Sequence, residues 1–234
     1  MEEITSLTIN SLRLIFDVNS DLFEIVFLSL KISIFALFFA CLLGLPIALL
    51  CVVNNFRGKK FVLLFFNSLM GLPPVLVGLI LYIFFSSTGP LGFFQILYTT
   101  KIMVLAQIIL VLPIIISLSF DVLNKIYNEY DEMMCSLSIK KNQKMYTILW
   151  DGRFFLFTSI LAGLGRALSE VGAIIIVGGN IASHTRTMTT TIALETSKGN
   201  LEFAVGLGII LVVISIFLNL SVYSLRFFSK KYYD

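Results

Sequence analysis

Five long apolar runs decide what this chain can become: Leu22–Val53, Phe61–Ser87, Ile102–Phe120, Phe154–Val177 and Phe203–Phe227. Each is close to or beyond the roughly 20 residues that a helix needs to cross the hydrocarbon of a bilayer. A soluble domain carries roughly 25% charged residues, whereas this chain has 13%, with 58% hydrophobic residues and a mean hydropathy of +0.96. The runs lack the short, even alternation of a transmembrane barrel. Backbone groups in lipid must then be satisfied inside each segment, which means helices. The expected fold class is an all-α membrane protein of about five transmembrane helices.

The polar interruptions divide the rest. Residues 1–20 include a mildly amphipathic stretch, 4–17, too short and polar to span and expected to lie at the membrane surface. Residues 21–228 form one transmembrane domain and 229–234 a polar tail. Glu2 and Glu3 replace the basic start of a secretory signal. The longest interruption is Asp121–Arg153, with ten charged residues between two spans.

Five spans place that loop, the Asn54–Lys60 turn and the tail on one side. Their basic residues are Arg57, Lys59, Lys60, Lys125, Lys140, Lys141, Lys144, Arg153, Arg226, Lys230 and Lys231, eleven in all. The other side has four, Arg13, Lys101, Arg186 and Lys198. The excess of basic residues marks the cytoplasmic face. The expected orientation has the N-terminus outside and the C-terminus and polar loop inside, in a bacterial or archaeal cell (inner) membrane. The small net charge of +3 says nothing about nucleic acid, which is not expected as a partner.

Within the spans, Ala36, Ala40, Gly44 and Ala48 recur every fourth residue, a face that lets another helix approach closely. Pro46 should kink or break the first span near its end. Lys31 is expected to snorkel outward. Pro73 and Pro74, with Gly78 one turn on, interrupt the backbone ladder of the second span. Such a break is tolerated where it faces protein or a water-filled path, and both a pathway role and a plain kink remain open. Arg166 and Glu170 are one helical turn apart near mid-span. A charge at bilayer centre costs on the order of 3 kcal/mol, so the pair should face protein or water, as a gate or as a static ion pair. Gly165, Ser169 and Ala173 follow at four-residue spacing and could pack on a neighbour.

Metal and redox chemistry find little footing. Cys41, Cys51 and Cys135 have no ligand spacing, and His184 is the single histidine. No cofactor, metal or catalytic residue is expected.

The segment Glu132-Met133-Met134-Cys135-Ser136-Leu137-Ser138-Ile139 resembles the coupling loop of ABC importer permeases. That pattern has Glu-Ala-Ala, two residues, then Leu-Gly. Glu132 and Leu137 match; Met133, Met134 and Ser138 stand where two alanines and a glycine are usual, and the later proline is missing. Independently of family, two short helices with a bend would present an acid and an apolar knob to a groove on a soluble partner. A merely solvated face would leave Met133, Met134, Leu137 and Ile139 as an exposed apolar set.

A second stretch is more specific. Gly163-Leu-Gly-Arg166-Ala-Leu-Ser-Glu170-Val-Gly172-Ala, then Gly178-Gly-Asn180, Thr185-Arg186-Thr-Met-Thr-Thr and Leu194-Glu-Thr-Ser-Lys-Gly199 is similar to the molybdate, sulfate and tungstate branch of these permeases, most like the tungstate type. With Gly44-Leu-Pro-Ile-Ala and Leu72-Pro-Pro, the resemblance spans roughly residues 22–227. It implies a type I importer permease fold, a non-catalytic subunit of an ATP-driven importer of a tetrahedral oxyanion, with tungstate favoured. It also implies a homodimer, two ABC ATPase subunits on the polar loops, and an extracytoplasmic oxyanion-binding protein. The chain has no Gly-X-X-X-X-Gly-Lys-Ser/Thr motif, so ATP hydrolysis is expected in a separate subunit. Glu132, Met133, Leu137, Ser138 and Ile139 would couple to the ATPase. Pro73, Pro74, Gly78, Arg166, Glu170, Gly172, Asn180, Thr185 and Arg186 are the pathway or gate candidates. The outer loop Asn180–Thr191 could offer neutral donors to an oxyanion, receive a binding protein, or simply be solvated. A motor-independent secondary transporter would instead need a membrane-embedded ion relay, for which only Arg166 and Glu170 could serve.

Overall fold

The computed structural model describes residues 10, 11, 13 and 20–233, the last nine by backbone alone. The surface stretch expected at 4–17 therefore lies largely outside the described residues. Eight α-helices follow in order: α1 Ser20–Val53, α2 Lys59–Leu69, α3 Pro74–Phe85, α4 Thr100–Ser136, α5 Lys141–Leu168, α6 Gly172–Gly178, α7 Met188–Lys198 and α8 Leu201–Tyr233. Among the described residues there is no strand. Helices α1, α4, α5 and α8 are long and apolar enough to cross a membrane, and α2 with α3 forms a bent pair that makes a fifth crossing if taken as one span.

The bent pair behaves as one crossing. Lys59, at the start of α2, lies with its ammonium 5.5 Å from the Phe120 ring, toward the far end of the apolar part of α4. Phe85, at the end of α3, packs in the cluster that holds Ile102 and Met103 at the beginning of α4. The two ends thus reach opposite ends of the same neighbour.

Helices α1 and α4 run parallel as the central pair, Ile32 packing with Ile102 and Met103 at one end and Leu49 with Leu123 at the other. The small-residue face of α1 makes this possible: Ala36, Ala40 and Ala48 are fully buried. A Cβ at Gly44 would stand 3.0 Å from Ile115 Cγ2. Without a hydrophobic drive between helices in lipid, such close packing is what holds spans together. Gly163 of α5 meets the same ridge, since a Cβ there would lie 2.8 Å from Ile115 Cδ1.

Several expectations are corrected. Helix α1 runs through Pro46 without ending. The Asp121–Arg153 segment has the expected two helices and bend, but these are not short: they are the ends of α4 and α5, and only Leu137–Lys140 lies between them. The polar residues there sit on helix surfaces, where the intrahelical ladder satisfies the backbone. The fourth span is not continuous either; α5 stops at Leu168 and α6 resumes at Gly172. Ser169 and Ala173 therefore share no helical face with Gly165, around which a Cβ would find open space.

Candidate functional site

Two constellations carry the sequence candidates. The first is the turn between α4 and α5. At the end of α4, Ser138 takes a left-handed conformation with φ of 50°. The Ile139 N–H donates to Met134 O at 3.2 Å and the Ser138 N–H to Cys135 O at 3.0 Å. These are the paired bonds of a Schellman stop, which uses orphan carbonyls at a helix end. The apolar contact that accompanies this motif is present, with Met134 fully buried and Ile139 packed against the same cluster. The next helix begins at once, the Lys140 N–H donating to Gln143 Oε1 at 3.2 Å.

The turn points Met133 and Leu137 outward, 52% and 64% exposed, and Glu132 is exposed beside them. Ile139 is half-buried and lines a groove of about 490 Å³ with Asn142, Gln143, Tyr146 and Thr147. Tyr146 stacks on Trp150 at 6.2 Å, and the Arg153 guanidinium covers Trp150 at 4.5 Å. Asp131 and Lys144 tie the two helices at 3.7 Å. The root of the hairpin is braced by Leu49 and Val52 of α1 against Leu123, Ile126 and Ile148. Gly152 lets α5 approach closely there, since a Cβ would lie 3.1 Å from Ile126 Cδ1. The hairpin is thus rigidly continuous with two crossing helices, with an acid and apolar knobs at its tip.

The second constellation lies where the chain is broken inside the membrane. Pro73 is the extended cap of α3 and Pro74 its first residue, where a missing N–H costs nothing. The bend between α2 and α3 is 96°. Gly78 brings α3 onto α6: a Cβ there would stand 2.9 Å from Ala173 Cα. Gly172 does the reverse, since a Cβ would lie 2.7 Å from Val75 Cγ2. The second halves of the two broken spans therefore pack backbone to backbone.

Glu170 occupies the break between α5 and α6 and is 4% exposed. Its Oε2 is 3.4 Å from Arg166 Nη2, and its Oε1 accepts the Ala173 N–H at 3.3 Å. Arg166 remains partly open, with 37% of its side chain exposed. The Glu170 carbonyl accepts Thr189 Oγ1 at 2.7 Å. The Met188 N–H donates to Ser29 Oγ at 2.7 Å. Gln107 of α4 donates to the Ala167 carbonyl at 3.0 Å, serving a helix end that lipid could not. Ser29, Ser33, Gln107, Glu170, Thr187 and Thr189 enclose a small polar pocket.

In the segment after α6, residues 181–184 are exposed but the threonines that follow are not solvated. Thr185, Thr187, Thr189, Thr190 and Thr191 are buried. Thr185 Oγ1 donates to Gly178 O at 2.5 Å and accepts the Ile181 N–H at 2.9 Å. Asn180 donates from Nδ2 to Thr190 O and accepts Thr190 Oγ1. These two candidates spend their hydrogen bonds on shaping the turn. Arg186 lines a pocket of about 220 Å³ with Asp21, Glu24, Glu195 and Asn200. Glu195 is buried there, bound by Lys198 at 2.9 Å and by Asn200 at 3.0 Å. The Lys198 ammonium first, then the Asn200 amide and the nearby Arg186, hold its carboxyl below the ordinary carboxylate range against the opposing effect of burial.

Sequence reading missed Ser29, Ser33 and Gln107. Gln107 left a signal, as the only amide in the apolar run 102–120; the serines left none, being common in transmembrane helices.

A multi-pass helical protein with a rigid hairpin at one end and two broken spans packed together is a membrane permease architecture. No family model matches the chain. It is 36% identical over 92% of its length to the tungstate uptake system permease protein TupB of Peptoclostridium acidaminophilum, covering 95% of that protein. It is 37% identical over 74% of its length to TupB of Campylobacter jejuni, covering 72% of it. The sulfate transport system permease protein CysW of Escherichia coli is more distant, 26% identical over 74% of this chain and 62% of that one. The chain belongs to the ABC importer permease family.

Proposed function

We propose that this chain is the membrane-spanning subunit of an ATP-driven importer for a tetrahedral oxyanion, tungstate. The observation that carries the reading is the 36% identity over nearly the whole length of a permease named for tungstate uptake. Sulfate and molybdate permeases are the second reading within the family; the 26% identity to sulfate permeases makes sulfate the weaker choice. The small residue differences that would separate these dianions belong to an extracytoplasmic binding protein that delivers the substrate.

The hairpin docks a separate ABC ATPase in the cytoplasm, with the N-terminus outside. The eleven basic residues on the hairpin side against four on the other support that orientation. Glu132, Met133, Leu137, Ser138 and Ile139 form the contact, and the Ile139–Thr147 groove widens it. ATP hydrolysis belongs to that partner. Movement of the hairpin is passed to α4 and α5 because no flexible joint separates them from it.

Two copies of the chain enclose the path about a two-fold axis, each with one ATPase. The broken spans line it: Pro73, Pro74 and Gly78 on one side, Arg166, Glu170 and Gly172 on the other. Asn180, Thr185 and Arg186 hold the outer mouth. A transported dianion must be released as readily as it is held. An arginine already neutralised by Glu170 suits this better than a bare cation.

Glu132→Lys reverses the charge at the tip without touching a buried contact. Uptake and co-purification of the ATPase should both be lost while membrane insertion is unchanged. If both survive, the hairpin is not the docking element.

A further inference from the structure

We infer that the groove between α1 and α4, at the membrane end opposite the hairpin, is a binding site for an anionic phospholipid. The groove has a volume of about 350 Å³. Lys31 and Lys101 stand in it, with Phe35, Phe39 and Val104 among the residues that line the remainder. Lys31, Phe35 and Phe39 follow at four-residue spacing and so form one stripe on α1. Each step of four carries the stripe about 6 Å along the helix. A headgroup at the lysines would therefore lay an acyl chain along the two rings.

Both lysines are exposed, and among the described residues neither forms an ion pair. No carboxylate lines the groove. This end of the molecule is poor in basic residues, yet two of them converge on one lipid-facing groove. Snorkelling alone would explain one lysine at a helix end. Two unpaired lysines above an apolar trough match a phosphodiester with its acyl chain. A soluble oxyanion would satisfy the lysines but gains nothing from Phe35 and Phe39. The groove therefore fits a lipid rather than substrate.

The test uses the full chain in detergent with a reporter in the groove, Phe35→Trp, made with Trp150→Phe because Trp150 is the single native tryptophan. Quenching by brominated phosphatidylglycerol should reach half-effect at a concentration about tenfold lower than for brominated phosphatidylcholine. Adding Lys31→Gln and Lys101→Gln should erase that preference, whereas Lys125→Gln, at the hairpin end, should leave it intact. Equal quenching by both lipids in the lysine-intact reporter would overturn the proposal, and needs no lysine variant to fold. So would absence of quenching by either lipid, which would mean that protein covers the groove. Release of the bound lipid by millimolar tungstate, without effect from equal chloride, would also overturn it, by making the lysines an oxyanion site.

Discussion

At the scale of single residues, the hairpin tip shows how a departure from the family pattern is absorbed. Ser138 stands where a glycine is usual, and its φ of 50° explains the preference. A side chain in that conformation costs about 1 kcal/mol relative to glycine. Ser138→Gly should therefore stabilise the hairpin by about that amount, read as a higher melting temperature in detergent with ATPase binding retained. Glu195 gives a second residue-scale prediction. Its carboxyl is held low by Lys198 and Asn200, so its contribution to stability is present at neutral pH. That contribution is lost as pH falls through the ordinary carboxylate range towards the depressed folded value. Melting temperature followed down through that range should fall more steeply for the native chain than for Glu195→Gln. Parallel curves would show that the Lys198 contact carries no net energy.

Among the elements, the apolar runs named the crossing helices because their length against the bilayer leaves few alternatives. The stripe Ala36–Ala48 named its own packing face, since only small residues allow the approach seen at Ile115. Pro73 and Pro74 marked the break in the second span, but nothing in the fourth run revealed that its helix also stops inside the membrane. The break at Ser169–Val171 carries no proline; it is held by Glu170, Gln107 and the threonines of the segment that follows α6. Such long-range hydrogen bonds leave no periodicity. The polar stretch 121–153 holds the two helices and bend that its residues suggested, but the helices are the ends of α4 and α5 rather than short separate pieces. Arg166 and Glu170 now face each other across a helix end, not along a helix. Exchanging them, as Arg166→Glu with Glu170→Arg, tests what the pair does. The swap should restore the expression lost in either single variant but not transport, because Glu170 also binds the Ala173 N–H. Full transport in the swapped chain would make the pair a static brace.

For the whole molecule, five crossings and one hairpin are joined in one continuous helical frame. The long helices α4 and α5 link the hairpin to the core around Ile115, and α3 with α6 forms the backbone-to-backbone contact at Gly78 and Ala173. The lipid-facing surface is broad, with Phe27, Phe38, Phe61 and Phe217 exposed to what surrounds them. Oxyanion uptake decides the matter at this scale. Cells without a native tungstate importer should be given the chain together with its ATPase and binding protein, and again with the chain omitted. Accumulated tungsten should depend on the chain, and equal sulfate should not suppress it. Equal accumulation without the chain, or uptake that persists when the ATPase is omitted, would contradict an ATP-driven tungstate permease.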